Sequence, residues 1–212
     1  MRQRIVGFLR DPHRRSAVLA SAGGAFDVAF AAWNLWLGAT GPSAWFTTLG
    51  VQYLLFALVR WSTLAAARRA HRAGRTVPPV FFHVQGLVLL AMVVATLGTV
   101  VIMILDDPVD ARGRITSILM ATYTAYRTVV VVAGLHSCHN RASTVLTALR
   151  CVNAATLLVS ILSLQSSMLA QFGSGGAAAH PVQTQATGGA VCLGLVLLGV
   201  RLLRVRETVA PD

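Results

Sequence analysis

One acidic and three basic side chains stand inside otherwise apolar stretches of this 212-residue chain: Asp27, Arg60, Arg127 and Arg150. A charge at the centre of a bilayer costs at least about 2.5–3.5 kcal/mol, so such groups normally face a bundle interior and take partners. Asp27 is expected to pair with Arg127 or Arg150. Three guanidiniums against one carboxylate leave a positive excess. That excess favours a small anionic or polar solute, or a lipid phosphate reached by snorkelling. Arg60 and Arg150 stand near enough to an interface to snorkel. For Asp27 the competing role is a buried pair that fixes helix register.

Uncharged polar residues accompany the charges. Tyr123, Tyr126 and Arg127 are spaced i, i+3 and i+4, which puts them on one helical face. Tyr53 and Arg60 are seven apart, again one face. Asn153, Ser160, Ser163, Gln165, Ser166 and Ser167 crowd a later stretch, and His83, Gln85 and Gln52 punctuate two others. Interhelical hydrogen bonds account for such residues. Their number also suggests a polar internal cavity, for which the candidate ligand-binding set is Asp27, Tyr53, Arg60, Tyr123, Tyr126, Arg127, Arg150 and Asn153.

The elements that must position these groups are long apolar helices. The chain is 55% hydrophobic and only 12% charged, with a mean hydropathy of +0.66, where a soluble domain carries roughly 25% charged residues. A helix needs about 20 apolar residues to cross a bilayer. Six segments reach that length, at approximately 16–38, 43–66, 79–104, 115–135, 143–170 and 185–204. The runs are too long for strands and lack period-two alternation. The expected fold class is therefore an all-α membrane protein, a six-transmembrane-helix bundle. Residues 1–15 form a basic N-terminal segment, 16–204 the transmembrane domain and 205–212 a short tail. Short connections predict three helical hairpins, 1–2, 3–4 and 5–6. The first apolar segment runs too far, and lacks a small-residue cleavage site, to be a removed signal peptide.

Arginine counting sets the expected orientation. All 18 basic residues are Arg. With the N-terminus inside, thirteen of them fall in inner segments and only Arg112 and Arg114 in outer loops. That bias predicts N- and C-termini in the cytoplasm of a cell (plasma or inner) membrane. It reads the net charge of +11 as contact with the lipid bilayer and its anionic headgroups, with no nucleic acid as partner. Trp33, Trp36 and Trp45 are expected as anchors at the outer interface and Trp61 at the inner. Gly188, Gly189, Cys192 and Gly199, with Ala190 and Gly194, mark a close helix contact, within the bundle or in a homo-oligomer.

Catalytic signatures are wanting, so no enzyme and no cofactor is expected. His136, Cys138 and His139 lie within four residues, but zinc sites take further ligands from elsewhere, and the nearest candidate, Cys151, lies inside a span; no metal is expected. Asp107, Asp110 and Arg112 lack the glycine and the later acids of the CDP-alcohol phosphotransferase signature. No nucleophile elbow, Walker loop or metalloprotease motif occurs. Cys138, Cys151 and Cys192 form no disulfide framework.

Several runs resemble a family of six-span bacterial membrane proteins to which no activity attaches. They are Gly38 to Phe46 followed by Tyr53 and Arg60; Tyr123-Thr124 with Tyr126-Arg127; Ser160 to Gln165 with Met168 and Phe172-Gly173; and Thr187 to Cys192. More distantly, Thr40-Gly41-Pro42-Ser43 and the six-span layout resemble the transmembrane half of cation diffusion facilitators. That resemblance implies the fold only. The metal-site positions of the second helix would fall at about Val51 and Leu55, and the fifth has no Asp, Glu or His.

Overall fold

The computed structural model describes residues 12–41, 44–105, 114–136, 144–172 and 179–204. Within them lie six α-helices: α1 (Pro12–Thr40), α2 (Ala44–Arg72), α3 (Pro79–Leu105), α4 (Arg114–His136), α5 (Thr144–Phe172) and α6 (Ala179–Leu203). Among the described residues there is no strand. The Cys138–His139 loop, the acidic 106–113 segment and both terminal segments lie outside the described residues.

The boundaries follow from local chemistry. α1 and α3 each begin on a proline, whose missing N–H would have been unbonded in a first turn anyway. α2 runs into the basic segment as far as Arg72, beyond the expected end at 66. There Gly74 adopts φ +61°. Arg75 N donates to Ala70 O at 2.9 Å and Gly74 N to His71 O at 3.4 Å. These are the paired bonds of a Schellman cap, which requires a left-handed residue that glycine supplies without steric cost. α6 starts at Ala179 instead of about 185. Pro181 therefore sits in a first helical turn, where proline is tolerated, and does not end the preceding loop.

Four helices are long and apolar enough to cross a membrane: Ala44–Arg72, Pro79–Gly98, Thr144–Leu169 and Gln185–Leu203. In α4 the apolar stretch is the shorter Ser117–Val132. α1 and α4 carry Asp27 and Arg127, which dilutes their apolarity. Their lengths of 29 and 23 residues still correspond to about 43 and 34 Å of helix, more than the roughly 30 Å hydrocarbon core. The chain is a membrane-embedded, multi-pass helical bundle. Val80, Val84, Leu87, Val94, Val129, Leu193 and Leu197 are all more than half exposed on it, as lipid-facing side chains are.

Packing differs from three sequential hairpins. α1 packs most extensively on α2, and α4–α5 and α5–α6 also pair. α3, however, packs extensively on α6 and, among the described residues, not on α4. Small residues explain the choice. A Cβ at Gly86 would come within 2.9 Å of Gly199 O and 3.0 Å of Leu203, and one at Gly188 within 2.9 Å of Val100. Without a hydrophobic drive between helices in lipid, close van der Waals approach decides the partner. Gly194 instead faces Leu158 of α5, and a Cβ at Gly189 would meet nothing within 4 Å among the described residues, so the small residues of α6 serve two neighbours. Gly86→Leu should separate α3 from α6 and destabilise the protein by about 1–3 kcal/mol, the usual range for overpacking; the midpoint of SDS-induced unfolding measures it.

Tryptophan placement departs from expectation at one position. Trp33, Trp36 and Trp61 are exposed, but Trp45 is buried in the core. The tight α1–α2 pair takes Trp45 inward with Phe46 and Leu49. Two polar rungs tie α2 to α3: Gln52 Nε2 donates to Thr96 Oγ1 at 3.0 Å, and Gln85 Nε2 to Thr63 Oγ1 at 2.6 Å.

Candidate functional site

Asp27 stands near the middle of α1, Arg60 near that of α2 and Arg127 near that of α4. The three meet. Asp27 and Arg127 are fully buried and Arg60 is 1% exposed. Asp27 Oδ1 is in direct ion contact with Arg127 Nη2 and accepts a 2.5 Å hydrogen bond from the Tyr123 hydroxyl. Arg127 Nε donates to the same hydroxyl at 2.9 Å, and its Nη2 to Gly23 O at 3.5 Å. The second carboxylate oxygen, Oδ2, is held more loosely, 3.4 Å from Arg60 Nη2.

Local sequence makes room for this arrangement. Tyr123 and Arg127 are one turn apart on α4, so the hydroxyl and the guanidinium reach the same carboxylate. Gly23 lies one turn before Asp27 on α1, and a Cβ there would overlap the Arg60 guanidinium. A side chain at that point would have to displace the arginine head, which occupies the space. Gly24 similarly makes way for the Trp61 indole.

Aromatic rings wall the cluster. Phe30 stacks on Tyr123 with centroids 4.1 Å apart and planes 4° from parallel. Tyr53 meets Phe30 and Tyr123 edge-on, at 4.9 and 5.3 Å. Phe26 meets Tyr126 at 5.0 Å. The α1 and α4 backbones are not among the closely packed pairs; these rings and the ion contacts bridge them. The α1–α4 interface is thus a seam of large polar and aromatic side chains.

Of the expected site residues, Asp27, Tyr53, Arg60, Tyr123 and Arg127 come together. Tyr126 stands at the edge, its ring 6.0 Å from the Arg127 guanidinium. Arg150 and Asn153, on α5, are half-buried and make no contact with Asp27 among the described residues. Arg60 and Arg150 were both expected near enough to an interface to snorkel; for Arg60, burial against Asp27 corrects that reading. A guanidinium in mid-helix reaches a carboxylate more readily than a distant headgroup.

The serines of α5 likewise prove less free than their number suggests. Ser160, Ser163, Ser166 and Ser167 donate at 2.8–2.9 Å to Leu157, Ser160, Leu162 and Ser163 carbonyls of their own helix. Such back-bonding satisfies hydroxyls inside an apolar bundle. The Tyr53 hydroxyl lies beside Ser163 without full hydrogen-bond geometry. Among the described residues no group of three metal-ligating side chains gathers.

Counted as charges, the cluster holds two guanidiniums and one carboxylate, a net +1 in an apolar interior. Several donors also go unmatched. Arg60 Nε and Nη2 and Arg127 Nη1 are buried without a hydrogen-bond partner among the described residues. An unpaired buried donor typically costs about 1–3 kcal/mol, and more when charged. This is a multi-pass membrane protein organised around an internal, net-positive ion cluster. No protein family, curated protein or solved structure matches the chain.

Proposed function

We propose that the protein is a small transporter or permease-like protein for an anionic solute, with the Asp27–Arg60–Arg127 cluster as its internal site. The observation that carries this reading is the charge count: two buried guanidiniums share one carboxylate, Arg60 Nε and Arg127 Nη1 have no hydrogen-bond acceptor among the described residues, and Arg60 Nη2 has only a loose ion contact with Asp27. A buried net charge is expensive unless something neutralises it. One anion does so and supplies the missing acceptors. The α1–α4 seam, bridged by side chains instead of close backbone packing, is where the bundle can part to admit it.

The arginine bias supports an orientation with both termini in the cytoplasm of a bacterial plasma membrane. Arg68, Arg69 and Arg72 in the last turns of α2 and Arg75 just past it, with Arg201 and Arg204 at the end of α6, then contact anionic headgroups. An enzymatic reading finds little support, since the α5 hydroxyls are tied to their own backbone.

A second reading has its own observation. The cluster is closed, with Asp27 and Arg127 fully buried, as befits a lock that sets helix register in a scaffold or accessory subunit. Flux separates the two. Proteoliposomes loaded with formate, nitrate, chloride or sulfate should release at least one of these faster than protein-free vesicles. Arg60→Gln should lower that rate at least tenfold, the effect of losing about 1.4 kcal/mol of binding. Rates equal to protein-free vesicles for all four anions favour the lock.

A further inference from the structure

The geometry of Arg60 points to a narrower ligand class: we infer that the internal site takes one planar, monovalent oxyanion, such as a small carboxylate or nitrate. This rests on the anion reading above and specifies it.

Three observations carry it. First, Arg60 presents one particular edge. Its Nη1 is pressed against Gly23, where a Cβ would overlap it. Its Nε and Nη2 have no hydrogen-bond partner among the described residues, although the side chain is 1% exposed. Nε and Nη2 lie on the same edge of a guanidinium, and their N–H bonds run parallel. That edge matches two oxygens of a planar oxyanion in a two-bond fork, one linear bond each, where a spherical ion must share both donors at a single bent centre.

Second, the acceptor now nearest that edge is exchangeable. Asp27 Oδ1 is fixed by Arg127 and Tyr123, whereas Oδ2 stands 3.4 Å from Arg60 Nη2 and has no hydrogen bond among the described residues. An incoming oxyanion can take Arg60 while Asp27 keeps Arg127. The Arg127 Nη1 donor, also unpartnered, offers a further bond.

Third, charge fixes the valence. Two guanidiniums and Asp27 sum to +1. A monovalent anion brings the buried cluster to zero, and a dianion would leave it at −1 in an apolar interior. The stacked Phe30 and Tyr123 rings, with Tyr53 edge-on to both, line the cluster with apolar surface that suits a ligand with a small apolar end.

Competition binding to the full-length protein in nanodiscs tests this, with formate, nitrate, chloride and sulfate at matched ionic strength. Formate and nitrate should bind at least tenfold more tightly than chloride and sulfate. Arg60→Lys keeps the charge but loses the fork, and should bring the formate-to-chloride ratio down to about one. Chloride as tight as formate in the wild type would overturn the planar-oxyanion inference and leave the anion site standing; sulfate tighter than formate would overturn the monovalent assignment in the same way. If none of the four binds, this inference and the anion reading fall together. The wild-type ratios decide the matter even if Arg60→Lys does not fold.

Discussion

Replacing Asp27 with Ala should destabilise the protein by about 3–5 kcal/mol, the range seen when one partner is removed from a buried ion pair. The carboxylate is the shared counter-charge of Arg60 and Arg127. Its loss leaves two guanidiniums facing each other across an apolar site at +2. It also strips the Tyr123 hydroxyl of its acceptor. Neither arginine has an easy escape, because both are at most 1% exposed and stand in mid-helix. Unfolding in a titration of SDS against mild detergent should shift accordingly. A change under 1 kcal/mol would mean that the ion cluster does not hold the bundle together.

The second large effect separates stability from function. Arg127→Gln removes one of two positive charges, so Asp27 and Arg60 are left in balance. The cost should be the lost hydrogen bonds from Arg127 to Tyr123 and Gly23 O and its contact with Asp27. Bonds to charged groups contribute about 1.5–3 kcal/mol, and the shorter Gln amide recovers part of that. Arg127→Gln should therefore be less damaging to the fold than Asp27→Ala. Its effect on anion binding should be the reverse. With the site already neutral, an added anion leaves it at −1, and formate affinity should fall at least tenfold. Parallel unfolding titrations and formate competition on both variants check the crossing. Equal affinity in the wild type and Arg127→Gln would remove the electrostatic basis of the proposal.

The sequence made the helical bundle and the centre of its site visible for one reason. Isolated charges in long apolar runs have few physically acceptable positions, and Asp27 with Arg127 occupies one of them. Arg60 was harder to place. Whether it snorkels depends on where the α2 membrane stretch ends, and α2 continues to Arg72 before the Gly74 cap. The space that draws Arg60 inward is made by Gly23 on another helix, which no local pattern in α2 records. The α5 serines misled for a different reason. A hydroxyl in a helix can bond either its own backbone or a neighbour, and composition does not distinguish these. The glycines of α6 announced a close contact. That α3 and not α4 supplies the partner follows from complementary Gly86 and Val100, a match visible only once both helices are set side by side.

An anion carrier of this design holds one small ion per chain at the buried guanidiniums. Solid-state 13C NMR of labelled formate in proteoliposomes observes that ion directly. An immobilised, saturable formate signal approaching one per chain is expected in the wild type and should be lost in Arg127→Gln. A wild-type spectrum no different from that of Arg127→Gln or of protein-free liposomes would contradict it, and would leave Asp27, Arg60 and Arg127 as a structural lock.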